Sequence, residues 1–223
     1  MNMHIAHEVF NILLYIEPEA IPNFPFLVVH PVIESNPIYF NEKVVDIFQD
    51  SETFYDYLRY VQSSTKDKEL NSLLLMVRKQ FRLFYIYQIY KSKGCTLSEA
   101  ADLFIQVWQQ VENIGNDINV SHAVIRKFIN YYANHHTLEE REISTLPDVV
   151  TIYRGCTPEG KNGFCWTLTK SVAEFFANRF DRSNTVIYKA EVRREDIVTH
   201  FLSEDEIVVD YKKLMNVEEV LNG

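Results

Sequence analysis

The sequence predicts an α+β protein: a mostly helical N-terminal region over residues 1–146, followed by a compact mixed β-sheet core over 147–223. Three observations carry this expectation. No glycine precedes Gly94, so once the prolines of residues 18–37 are passed the chain is free of helix breakers. Apolar residues then recur at helical spacing, with reciprocal capping signals at helix starts. After Leu146-Pro147-Asp148 the pattern changes to β-branched and aromatic runs that alternate with period two.

The elements follow in order. Val9 to Ile16 reads as an ordinary helix face. Five of the seven prolines fall between Pro18 and Pro37, which keeps that stretch extended and irregular. Val44, Val45, Ile47, Phe48, Phe54, Tyr57, Leu58 and Val61 put a helix over 41–61. A long helix is predicted from Asp67 to Lys93, stopped by Gly94. Its set Phe81, Phe84, Tyr85, Tyr87, Ile89 and Tyr90 runs most of the way round, which implies burial, or alternatively a surface for a partner such as an antitoxin or chaperone. Thr96 and Glu99 form a capping box for a helix through Trp108 to near Gly115, and Ser121 starts another through Tyr132. Thr137 and Glu140 form a second box, for a short helix ending before Pro147. Strands are predicted over 149–153, 164–167, 186–193 and 206–209, with turns at Asn162-Gly163 and over 181–184. Ser171 and Glu174 cap a helix reaching Phe180.

Composition narrows the class. The chain has 223 residues, 47% hydrophobic and 24% charged, with Lys+Arg 22 against Asp+Glu 31 and a net charge of −9. These are ordinary globular values. An acidic chain argues against a broad basic footprint for nucleic acid. Residues 151–223 are less acidic, and Lys170, Arg179, Arg182, Arg193 and Arg194 there read as part of a solvated mixed surface. No run of about 18 apolar residues is present, so no membrane span is expected. The N-terminal segment lacks a basic n-region, and the three cysteines have no metal-ligand spacing. Both fit a reducing cytoplasm. His135 and His136 with Glu139 and Glu140 supply isolated ligands only and read as a solvated helix start, so no metal is expected.

Three short elements in the C-terminal third can carry chemistry. Tyr153-Arg154-Gly155 places a guanidinium fork at a strand end beside a bare backbone, which suits a phosphate ligand; alone it also fits a surface arginine before a turn. Cys165-Trp166-Thr167-Leu168 leads into a helix containing Val172-Ala173 and Phe175-Phe176; alone it is a buried strand feeding an amphipathic helix. Phe201 to Val209 carries Glu204 and Glu206 two residues apart on one strand face, so two carboxylates converge there; alone it is a solvated acidic turn.

In this order and spacing the three elements resemble the arginine–serine–glutamate class of mono-ADP-ribosyltransferases. That family carries an aromatic-Arg-Gly strand, a Ser-Thr-Ser-Leu segment leading to a Val-Ala helix, and an aromatic-x-x-(Glu or Gln)-x-Glu segment before an apolar strand. Arg154 matches the first element, Cys165-Trp166-Thr167-Leu168 falls on the second, and Phe201-x-x-Glu204-x-Glu206 matches the third in full. The resemblance implies an ADP-ribosyltransferase-like core over 147–223 and NAD as substrate. It implies Glu206 as the carboxylate that steadies the ribose cation, Arg154 on the dinucleotide phosphates and Gly155 on the carboxamide. Glu204 would position or deprotonate the acceptor, and Phe201 would present the acceptor loop. Tyr153, Trp166 or Phe176 would stack on nicotinamide. One departure stands out: Cys165 replaces the serine that orients the catalytic glutamate, which weakens that contact or leaves the role to Thr167. Glu at position 204 goes with arginine modification in the family. The helical region, with Trp108 and Glu112 on one helix, resembles small bacterial and phage transferase-like proteins, some of them intracellular toxins of toxin–antitoxin and phage-defence systems that modify RNA. Expected partners are therefore NAD, an RNA or protein acceptor, and an antitoxin or chaperone. The competing expectations are an NAD glycohydrolase using the same site, and a non-catalytic binding protein on the same fold.

Overall fold

The computed structural model describes residues 1–22, 24–111, 120–179, 184–202 and 205–220. The protein is mixed α+β, with seven α-helices and a six-stranded antiparallel sheet among the described residues. It forms two compact units, Met1–Asn113 and Ile114–Gly223. No helix among the described residues is long and apolar enough to cross a membrane.

The first unit is helical with two small hairpins. Helix α1 (Met3–Leu14) is capped by Asn2, whose side chain accepts from the amides of His4 and Ile5, and it buries Ala6, Val9, Phe10, Leu13 and Leu14. The proline-rich stretch is more regular than expected: β1 (Glu19–Ile21) pairs with β2 (Phe24–Val29). The helix expected over 41–61 starts late. Asn41 and Glu42 both take left-handed conformations (φ 48° and 62°), which makes a two-residue turn between β3 (Ile38–Phe40) and β4 (Lys43–Val45). Helix α2 (Ser51–Thr65) then begins at an Asp50 cap, 3.1 Å from the Thr53 amide.

The long helix expected over 67–93 is broken into α3 (Leu70–Met76) and α4 (Arg82–Lys91). The break is held by a buried arginine: Arg82 Nε donates to the carbonyls of Leu74 (2.9 Å) and Val77 (3.1 Å), which the broken ladder leaves open. Of the set expected to be buried, Phe81, Tyr85 and Ile89 are buried and Phe84, Tyr87 and Tyr90 are half-buried, and the Tyr85 hydroxyl donates to Ala6 O (3.0 Å). Helix α5 (Leu97–Trp108) opens with the expected Thr96–Glu99 capping box. His30 is fully buried in this unit. Its Nδ1 accepts from the amides of Val32 (3.0 Å) and Ile33 (2.8 Å), and its Nε2 has no hydrogen bond although the Leu14 and Ile16 carbonyls lie nearby. Burial lowers its pKa to about 4, so the ring is neutral.

The second unit contains helix α6 (His122–His135), strands β5 (Val149–Cys156) and β6 (Cys165–Thr167), helix α7 (Lys170–Asn178), and strands β7 (Val186–Arg193), β8 (Ile197–Phe201), β9 (Glu206–Val209) and β10 (Met215–Val220). The sheet order is β8-β9-β6-β5-β7-β10, or 4-5-2-1-3-6 counted within the unit. Helix α6 and residues 136–146 belong with this sheet. Ile143 joins its core, and the Arg141 carbonyl accepts from His200 N (3.0 Å) and Thr199 Oγ1 (3.2 Å). Thr137 and Glu140 make their reciprocal bonds (2.8 and 3.2 Å), but they close a turn, because Glu142 goes left-handed two residues later.

Alternation decides the two faces of the sheet. Val150, Ile152, Trp166, Tyr188, Ala190, Val192, Ile207 and Val209 form the main core on one face. On the other, α7 lies along β5, with Ala173 and Ala177 packed against Ile187 and Tyr153. Gly155 permits this close approach. A Cβ there would sit 1.8 Å from the Ala173 carbonyl oxygen and 2.7 Å from the Ala177 nitrogen.

Candidate active site

Tyr153-Arg154-Gly155 lies in β5 and Cys165 to Thr167 in β6, while the third motif has Phe201 at the end of β8 and Glu206 at the start of β9; β5, β6, β9 and β8 are successive strands of the sheet. Their register builds one row across all six strands. Glu218, Lys189, Tyr153, Thr167, Glu206 and Phe201 are successive lateral partners. Lateral partners project from the same face, so Tyr153, Thr167 and Glu206 share the face that carries α7. Glu206 is half-buried at the start of β9, and Phe201 is half-buried beside it. At the far end of the row Lys189 Nζ bonds Glu218 (3.0 Å), which raises the lysine pKa.

Arg154 is not part of this row. One residue past Tyr153, it points to the opposite face. Its Nε donates to Gly160 O (2.9 Å), its Nη1 donates to Cys165 O, and its guanidinium lies against the Cα of Gly163. It therefore ties β5 to the connection that leads into β6. Burial pushes the neighbouring Cys156 thiol up, and Arg154 pulls it partly back.

Other expected site residues divide in the same way. Cys165 lies opposite Val208, whereas Thr167 lies opposite Glu206. Trp166 is a correction: it is 2% exposed in the core on the far face, with Nε1 donating to Gly163 O (3.0 Å), so it does not stack on a ligand at Glu206. Gly155 meets the α7 backbone. Phe176 is exposed on α7 beside Phe175, their rings 5.6 Å apart and edge to face. Glu204, Glu112, Gly115 and the turn residues 181–183 lie outside the described residues.

Three further residues, Asp205, Thr169 and His200, are bonded together next to the start of β9. Asp205, just before it, adopts φ 51°. Its carboxylate accepts from Thr169 Oγ1 and lies 3.1 Å from His200 Nε2, and its carbonyl accepts from Leu168 N (3.3 Å). Thr169 is the N-cap of α7, two residues earlier than the expected Ser171. Its amide donates to Thr167 Oγ1 (3.1 Å). An aspartate in a turn that tolerates left-handed backbone was a visible signal; the partners of His200 and Thr169 were not.

At the end of β9, buried Asp210 accepts from Arg126 Nε (2.8 and 2.9 Å), Asn130 (2.9 Å) and the Lys212 amide (3.1 Å). Burial opposes its ionisation, but these bonds outweigh it and hold the carboxyl below its usual range. This pair anchors α6 to the sheet. His135 and His136 stack on Tyr131 and Tyr132, with Nδ1 atoms on the carbonyls of the same tyrosines, and no metal-holding group of three ligands occurs among the described residues. Two surface depressions in the first unit, one beside Tyr90, Lys93 and Glu99 and one beside His4, Arg59 and Lys66, contain none of the motif residues.

No protein-family model matches the chain, and neither a curated protein nor a solved structure matches it.

Proposed function

We propose that the second unit is a mono-ADP-ribosyltransferase that takes ADP-ribose from NAD and passes it to a macromolecular acceptor. One observation carries the reading. Three short motifs spread over residues 153–206 fall on successive strands β5, β6, β9 and β8, and Tyr153, Thr167, Glu206 and Phe201 stand in one lateral row. Motifs matched by chance have no reason to meet in this way.

The chemistry follows from the row. The bond between nicotinamide N1 and ribose C1′ breaks, and its electron pair leaves with neutral nicotinamide. The ribose gains oxocarbenium character, as in glycoside hydrolysis. Glu206, half-buried, is the carboxylate that stabilises that developing charge. Thr167, held by the Thr169 amide, takes the orienting role that the family gives to a serine. Tyr153 supplies the aromatic surface on the same face. An acceptor lone pair then forms the new bond at C1′, and the acceptor proton goes to a base; the resemblance gives that task to Glu204. Arg154 serves by holding the backbone around Gly160 and Cys165 in place, so its bonds here differ from the phosphate contact the resemblance implies.

The test is release of nicotinamide from NAD by the whole protein and by Glu206→Gln. Loss of release in a folded variant supports the reading. Conjugated label that is protease-sensitive or nuclease-sensitive identifies the acceptor class, and free ADP-ribose alone identifies a glycohydrolase.

A further inference from the structure

We infer that Asp205 is a positioning residue that fixes the start of β9 at Glu206, with Thr169 and His200 as its anchors. This rests on the transferase reading of Glu206 and adds residues that no motif assigns.

Asp205, the residue just before β9, adopts a left-handed conformation (φ 51°), which a non-glycine residue holds only with support. The support comes from separate elements. One carboxylate oxygen accepts from Thr169 Oγ1 at the start of α7. The other lies 3.1 Å from His200 Nε2 in β8. The Asp205 carbonyl accepts from Leu168 N, just past β6. One residue thus pins β8, the end of β6 and the start of α7 directly before Glu206.

Thr169 shows that this arrangement displaces an ordinary one. As N-cap of α7 it makes no side-chain bond to the helix amides, and its hydroxyl donates to Asp205. Its amide donates to Thr167 Oγ1. A continuous chain of bonds therefore runs His200–Asp205–Thr169–Thr167 and ends on the residue opposite Glu206. His200 is a firm anchor, being 7% exposed with its amide bonded to Arg141 O (3.0 Å). An Nε2–H donor suits the Asp205 carboxylate in the neutral and the charged ring alike.

A glutamate that stabilises charge only in the transition state is sensitive to its placement. Releasing the start of β9 lowers kcat and leaves NAD affinity nearly unchanged. The experiment measures nicotinamide release and backbone amide exchange in the full chain for the wild type, Asp205→Ala, Asp205→Asn and Thr169→Val. Asp205→Ala is expected to lower kcat by about 10- to 100-fold with KM within about 2-fold. The Glu206 amide should exchange faster while the β5 amides keep their protection. Asp205→Asn, which keeps one acceptor oxygen, should recover part of kcat. A kcat for Asp205→Ala close to wild type, or unchanged exchange at Glu206, overturns the inference. If Asp205→Ala does not fold, Asp205→Asn and Thr169→Val carry the same two readouts. A wild type that releases no nicotinamide refutes the transferase reading itself, and amide exchange then decides separately whether Asp205 holds the start of β9.

Discussion

Thr167 and Glu206 face each other across the β6–β9 pair, while Cys165, two residues earlier, faces Val208. On the transferase reading the orienting hydroxyl is that of Thr167, because Cys165 pairs laterally with Val208. Thr167→Val should lower nicotinamide release about tenfold, the kinetic equivalent of one hydrogen bond. Cys165→Ser should cost less. Steady-state rates of the two variants check this; the reverse order would restore Cys165 to the site.

Gly155 is fixed by α7. An added methyl would sit 1.8 Å from a backbone carbonyl oxygen, which no side-chain rotation relieves. Gly155→Ala should destabilise the second unit by at least about 3 kcal/mol. Urea unfolding followed in that unit measures it.

Arg154 has two donors committed to the Gly160 and Cys165 carbonyls. Lysine cannot reproduce that fork. Arg154→Lys should therefore lower stability by about 1–3 kcal/mol and reduce turnover through loss of order. If the guanidinium served NAD phosphates alone, KM would rise with the melting temperature unchanged.

His30 makes the first unit acid-sensitive. Its folded pKa is about 4, against an ordinary value near 6.5. Between these values the unfolded chain holds a proton that the fold rejects, so stability is full above about pH 6.5 and falls as pH drops toward 4. The loss attributable to His30 is about 3 kcal/mol across that window. His30→Gln should be less stable at neutral pH and flatter in its pH dependence, as read from denaturant midpoints between pH 4 and 7.

Much of this architecture is written locally. The alternation of residues 186–193 and the β-branched run at 149–153 specify β7 and the start of β5, and both lie where the pattern put them. Strand β8 escaped because Ile197 to His200 are all buried and show no alternation. Strand β10 escaped because, as an exposed edge, it carries Asn216, Glu218 and Glu219. The split between α3 and α4 depends on Arg82 reaching back to carbonyls of the previous turn, which helical periodicity does not reveal.

The lateral row that joins the three motifs is legible in the sequence to within one register step. Period two puts Cys165 and Thr167 on the same strand face, so only the pairing with β9 shows which of them meets Glu206. The same period separates Tyr153 from Arg154 and buries Trp166 on the far side. Asp205 is visible as a turn residue, but its bonds to His200 and Thr169 depend on strands closing first.

Nicotinamide release from NAD, compared between the wild type and a folded Glu206→Gln variant, tests the central claim most directly. The account expects release by the wild type and a loss of about 100-fold or more in the variant, the size typical of removing a group that stabilises transition-state charge. Equal release by both proteins, or none by the wild type, would contradict it.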